Sequence, residues 1–183
     1  YSEIEDFDYK YDVIGVDHFE SVPLKPGFFF TALPSFHRVP SQGYTIFETK
    51  RKLQKKYSHL DQNEIRDMKE GGFDPTEEVI SPLVSFSGDT KIEYLLENES
   101  VRKSQILFLE CTYYCENRGV ERAREWGHTH LDEIVKHADA FENEALVLIH
   151  PSKRYSYREL HEWIQKKLPE QLLQKTHLFI PKK

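Results

Sequence analysis

Three apolar runs of this 183-residue chain each lead into a single side chain able to bind a metal. Phe28 through Phe36 leads to His37, Leu83 through Gly88 to Asp89, and Ala145 through Ile149 to His150. Runs of that length and composition read as β-strands, and strand ends are where a sheet brings isolated His and Asp side chains together. Converging imidazole and carboxylate ligands, with room left for water, describe a hydrolytic metal site. No paired-histidine segment follows a strand elsewhere in the chain, so His37, Asp89 and His150 read as part of a site rather than a whole one.

These ligands need a sheet to hold them. Residues 12–16 and 27–32 read as strands separated by a turn at Lys25-Pro26-Gly27, and residues 43–48 as a third strand. A polar insertion follows over about 50–78, with a short helix predicted over 62–69. Asp61 and Glu64 form its capping-box pattern and Gly71-Gly72 ends it. Strands recur at 83–87, 105–110 and 145–150. Two amphipathic helices are predicted later in the chain. The first carries the stripe Leu131, Ile134, Val135, Ala138 and Phe141, with Thr129 as its N-cap. The second carries Tyr157, Leu160, Trp163, Ile164 and Leu168, is capped by Ser156 and stops at Pro169. Strands followed by helices that cover a sheet face indicate an α/β layered domain.

Composition narrows the function. A net charge of −6 argues against coating nucleic acid through bulk charge. A local basic run, Lys50, Arg51, Lys52, Lys55 and Lys56 beside Tyr57, reads either as a solvated helix face or as a phosphate-binding patch. No apolar stretch approaches the roughly 20 residues that span a bilayer. Nothing reads as a signal or transit peptide either, so a soluble cytoplasmic protein with no membrane partner is expected. The first residue is Tyr1 rather than Met, and an upstream segment is expected. Cys111 and Cys115 read as reduced thiols.

The surroundings of the ligands are informative. Gly88 lets the backbone bend just before Asp89, although Gly-Asp-Thr also occurs in ordinary turns. His150 precedes the polar loop Pro151-Ser152-Lys153-Arg154-Tyr155. The segment His128-Thr129-His130-Leu131-Asp132-Glu133 superficially matches a His-x-His-x-Asp-His ligand cluster. Glu133 stands in place of the last histidine, however, and residues 119–126 before it are charged and helical.

Five segments then carry a resemblance in order and spacing: Phe36-His37-Arg38-Val39-Pro40-Ser41-Gln42-Gly43-Tyr44, Phe86-Ser87-Gly88-Asp89-Thr90, Leu109-Glu110-Cys111-Thr112-Tyr113, Gly127-His128-Thr129-His130 and Leu148-Ile149-His150-Pro151-Ser152-Lys153-Arg154-Tyr155. Together they resemble ribonuclease Z, the tRNA 3′-processing endonuclease of the metallo-β-lactamase superfamily, in the short form of plants and some bacteria. The similarity runs from about residue 12 to about residue 160, and covers the C-terminal two thirds or so of that family's usual chain. The resemblance implies a metallo-β-lactamase-like αββα sandwich. Residues 1–183 would be a partial domain, its C-terminal portion, with the insertion at about 50–78.

The resemblance also implies roles. His37 would bind one zinc, Asp89 would bridge two, and His150 would be the last ligand of the second. His128 would give a proton to the leaving 3′ oxygen, with Glu110 orienting its ring. Precursor tRNA would be the substrate, gripped by Lys50, Arg51, Lys52, Lys55, Lys56, Ser152 and Arg154, and the enzyme would be a homodimer. Three features depart from the family pattern. Leu109 replaces a His often found there, Pro151 stands where an aromatic residue is usual, and the long flexible arm is absent. The largest departure is the missing His-x-His-x-Asp-His segment, so the chain by itself is expected to be weakly metallated and inactive. Three readings stand: the C-terminal part of a tRNA 3′-endonuclease, the same fold acting on another phosphodiester or ester, and a non-catalytic homologue.

Overall fold

The computed structural model describes residues 13–180 except 116 and 118. One seven-stranded sheet runs through the molecule with its strands in chain order. They are β1 (Ser21–Lys25), β2 (Phe28–Pro34), β3 (Gln42–Leu53), β4 (Thr76–Phe86), β5 (Ile106–Glu110), β6 (Ala145–Ile149) and β7 (Thr176–Leu178). The strands β1 to β4 pair antiparallel, and β4 to β7 pair parallel. An antiparallel step closes with a turn, whereas a parallel step needs a crossover. Helix α1 (Gln62–Glu70) lies in the insertion between β3 and β4. The crossovers are α2 (Glu93–Glu97) with α3 (Glu99–Lys103), α4 (Val120–Trp126) with α5 (Leu131–Lys136), and α6 (Tyr157–Lys167) with α7 (Glu170–Leu173).

This topology fixes where ligands can meet. Because β2 and β4 are each antiparallel to β3, they point the same way as β5 and β6. The C-terminal ends of β2, β4, β5 and β6 therefore share one sheet edge, the usual place for a site in an open α/β sheet.

The two sheet faces differ. Alternate residues Leu107, Leu109, Leu146 and Leu148 are fully buried, in one core with Ile92, Leu95, Leu131, Ile134, Leu160 and Leu172 from the crossovers. Each such leucine contributes roughly 1.5–3 kcal/mol. The opposite face carries Tyr44, Phe86 and Phe108 in cross-strand register, together with Ile106. Tyr44, Phe86 and Ile106 are exposed, Phe86 to 45%. A sheet face meant for water is polar, so an apolar face left open is one shaped to be covered.

Several elements differ from the sequence reading. Residues 13–16 form no strand, and Val13 and Ile14 are exposed; Asp12 lies outside the described residues. The partner of β2 is instead Ser21–Lys25, across the expected Pro26-Gly27 turn. Strand β3 continues through Lys50, Arg51 and Lys52, so the basic run starts on a strand rather than a helix. Helix α1 has its capping box as expected, with Asp61 accepting from the Asn63 and Glu64 amides. Helix α5 is capped by His130 rather than Thr129: the His130 ring accepts the Asp132 amide at 3.0 Å. The Thr129 hydroxyl is occupied elsewhere, donating to the Thr90 carbonyl at 2.9 Å. Ser156 caps α6 as expected, but Tyr157 stands out of its buried stripe, 61% exposed. Among the described residues no helix is long and apolar enough to cross a membrane.

The contrast between the faces is measurable. Leu148→Ala opens a cavity under the crossovers and is expected to lower unfolding free energy by about 2–5 kcal/mol in a urea titration. Phe86→Ser on the open face is expected to change stability by only about 0.5 kcal/mol and to reduce binding of an apolar dye. Equal losses for both variants would mean that the Phe86 face is not open.

Candidate metal centre

The shared edge delivers the ligand-type residues. Asp89 follows Gly88, whose φ of +61° suits glycine and whose missing Cβ would otherwise lie 2.9 Å from the Gln42 carbonyl. His37 lies just past β2, and His150 directly follows β6. His150 has a φ of +57°, a left-handed conformation uncommon for residues with a side chain. It persists because its neighbours hold it: the Cys111 amide donates to the Ile149 carbonyl at 3.0 Å and the Ser152 amide to the Thr112 carbonyl at 3.2 Å.

Asp89 meets histidines from two directions. Its Oδ1 lies 3.4 Å from His150 Nδ1. His37, Asp89 and His128 offer ligand atoms all within 4.8 Å of one another, as do Glu110, His128 and His150. The His128 ring lies between, with centroids 5.0 Å from His37 and 5.6 Å from His150. Imidazole nitrogens around a carboxylate are the donor set that zinc favours, so His37, Asp89 and His150 fit that ion chemically, although the structure gathers His37 and Asp89 with His128 rather than with His150. They are too few to enclose two such ions.

Behind the ligands sits Glu110, at the end of β5 and fully buried. Its Oε1 receives His128 Nδ1 at 2.9 Å, the Thr129 amide at 3.0 Å and the Thr90 amide at 3.2 Å. Its Oε2 receives the Thr112 hydroxyl at 3.0 Å. Burial pushes the Glu110 carboxyl up from its ordinary range, against the opposing pull of His128, the Thr129 amide and Thr112. The hydrogen bond to Glu110 is the main reason His128 holds its proton above the usual imidazole range, with partial burial opposing it.

Thr112 is a residue the sequence reading did not single out. Its hydroxyl lies 3.0 Å from both Glu110 Oε2 and His150 Nδ1, and 3.3 Å from His128 Nδ1. A hydroxyl has one proton, and the carboxylate is its strongest acceptor here. His150 Nδ1–H then donates to the hydroxyl oxygen, which leaves Nε2 as the nitrogen with a free lone pair. Gly127, read from the sequence only as part of a motif before His128, is a second contributor. It ends α4 at φ +80°, and a Cβ there would lie 2.6 Å from the Arg38 amide nitrogen and 2.9 Å from His37 Cα. The loops bearing His37 and His128 thus meet across a bare glycine.

The expected substrate residues divide. Ser152 and Arg154 lie in the loop after His150, where the Ser152 amide meets the Thr112 carbonyl and Arg154 lines a cleft with Tyr113. The basic run does not join them: Lys50 is roughly 25 Å along β3 from the ligand edge at about 3.3 Å per residue. Its charges are also partly answered, since Lys50 pairs with Glu48 at 2.7 Å and Arg51 with Asp74 at 2.9 Å. Lys52 stands opposite Glu77 in register. Lys55 and Lys56 occupy the following 3-10 turn.

No family model matches the chain. Its architecture is that of a metallo-β-lactamase fold protein. YhfI of Bacillus subtilis, which has that fold, superposes with a TM-score of 0.53 over 97% of this chain and 58% of its own, at 15% identity. Sequence narrows the class. "tRNase Z TRZ1" of Arabidopsis thaliana is 36% identical over 162 residues, 87% of this chain and 58% of that protein. "tRNase Z TRZ2, chloroplastic", from the same plant, is 34% identical over 149 residues, 80% of this chain and 42% of its own length. The resemblance to ribonuclease Z is borne out across most of the chain, which spans about half the length of these relatives.

Two substitutions test this arrangement. Glu110→Gln removes the anion behind His128, so in the metal-free chain the ring is expected to lose its proton at lower pH than in the unaltered protein. Imidazole resonances followed through a pH titration by NMR report this directly, and an unmoved midpoint would refute the coupling. Thr112→Val frees His150 Nδ1 and is expected to weaken zinc binding about 10- to 100-fold in chelator competition.

Proposed function

We propose that this chain supplies one sheet layer and part of the active centre of a metal-dependent endoribonuclease that removes the 3′ trailer of precursor tRNA by phosphodiester hydrolysis. The observation that carries this reading is the hydrogen bond between buried Glu110 and His128 beside His37, Asp89 and His150. A general metal site does not need that pair, whereas a proton donor does. With Nδ1 bonded to Glu110, the opposite nitrogen of a protonated His128 can pass its proton to the leaving 3′ oxygen as the phosphodiester breaks. Zinc ions, held by His37 and Asp89 and by Asp89 and His150, would activate water and neutralise phosphate charge. Ser152 and Arg154 would hold phosphates beside the cut, and Lys50, Arg51, Lys52, Lys55 and Lys56 would meet the tRNA backbone farther out.

The chain, in this reading, is a partial domain over 1–183 with an insertion at about 50–78. Its open apolar face receives the second sheet of an αββα sandwich, and that layer brings the remaining ligands. Homodimerisation and a cytoplasmic location belong to the same reading.

Mixing the chain with a complementary layer that carries His-x-His-x-Asp-His is expected to give cleavage of precursor tRNA immediately 3′ of the discriminator base. Asp89→Ala or His150→Ala is expected to abolish it, while His128→Ala slows it by about 10²–10⁴-fold with zinc retained. The chain alone is expected to hold well under two zinc ions by metal analysis. Two tightly bound ions, or cleavage surviving Asp89→Ala, would overturn the assignment.

A further inference from the structure

A cleft of about 880 Å³ is lined by Tyr113, Arg122, Trp126 and Arg154 together with Glu121 and Glu125, and His128 does not line it. That is within the roughly 300–1,000 Å³ of sites for small organic ligands. The Tyr113 ring centre lies 6.2 Å from that of His128. Trp126 is two residues from His128 and carries the guanidinium of Arg38 at 4.2 Å and that of Arg122 at 4.9 Å from its ring. Arg38 adjoins His37, so an arginine-aromatic stack connects the ligand loop to the cleft.

The charges in the cleft are uneven. Arg122 pairs with Glu125 at 2.6 Å, so its charge is engaged. Arg154 is exposed and makes no ion pair among the described residues. Aromatic rings stack on any base, and a free guanidinium forks onto a phosphate. Glu121 and Glu125 repel a run of phosphates but can accept from ribose hydroxyls or base amino groups. The lining therefore suits one nucleotide better than a length of strand.

We propose that this cleft holds the nucleoside that carries the leaving 3′ oxygen, with its base against Tyr113 and its 5′ phosphate on Arg154. The placement rests on the endonuclease reading: the oxygen that takes the His128 proton belongs to this nucleoside, so the nucleoside must come within reach of His128, and Tyr113 is the lining residue that meets that ring. Base preference at the position just 5′ of the cut would then be set by Tyr113 and its neighbours.

The test needs no metal. A ribotrinucleotide with a free 3′-OH is titrated into the metal-free chain at low salt and followed by amide chemical shifts. Expected are shifts at Tyr113 and Trp126, about 10-fold or greater loss of affinity in Tyr113→Ala and in Arg154→Ala, and retention in Tyr113→Phe. Absence of binding, or binding indifferent to Tyr113→Ala and Arg154→Ala, overturns the cleft assignment even if the assembled enzyme cuts precursor tRNA. Tyr113-dependent binding without such cutting supports the cleft and removes the endonuclease reading alone.

Discussion

A carboxylate sealed from water, Glu110, holds the ligand edge together. An unpaired buried charge costs several kcal/mol, so Glu110 can ionise there only because donors surround it. Those donors come from separate segments: Thr90 after β4, Thr112 after β5, and His128 with Thr129 between α4 and α5. Each loop gives up freedom to satisfy the same oxygen pair. The geometry of the centre is thus a by-product of a desolvation problem solved once.

That solution couples two histidines. Glu110 sets the protonation of His128 directly and reaches His150 through the Thr112 hydroxyl. With Glu110 ionised, Thr112 points its proton at Oε2 and His150 keeps its Nδ1 hydrogen, which leaves Nε2 for a metal. With Glu110 neutral, the hydroxyl can turn to the His150 carbonyl, 3.2 Å away, and the tautomer loses its anchor. The protonation of His128 and the orientation of the His150 ring therefore share one charge, and a change that alters one alters the other.

Much of this was legible in the sequence because strand direction and strand ends leave strong patterns. Apolar runs placed His37, Asp89 and His150 at tips, and two antiparallel steps followed by parallel crossovers made those tips coincide. Thr112 was not legible, since its role depends on the distance between two loops and a lone hydroxyl has no periodicity. The cap of α5 was misread for a related reason. Thr129 has the better capping chemistry, but its hydroxyl is drawn to the Thr90 carbonyl across the structure, and His130 takes the position. Val13 and Ile14 looked like a strand by composition, yet composition does not supply a neighbouring strand, and β2 pairs with Ser21–Lys25 instead. The end of β3 was misread because its lysines and arginine resemble a helix face until Glu77 and Glu78 are seen in register across from them.

The apolar sheet face and the short ligand set have one physical explanation. A sheet covered by helices on one side buries Leu107, Leu109, Leu146 and Leu148, but leaves Tyr44, Phe86 and Ile106 against water. At about 25 cal/mol per Å² such a face favours any layer that removes it from water. A second sheet packed there would have an edge of its own near the same strand tips, which is where His37, Asp89 and His150 lack companions. Hydrophobic burial would then bring ligands together that neither layer holds alone, and metal binding would in turn favour the packed state, because an ion that requires both layers binds only their union.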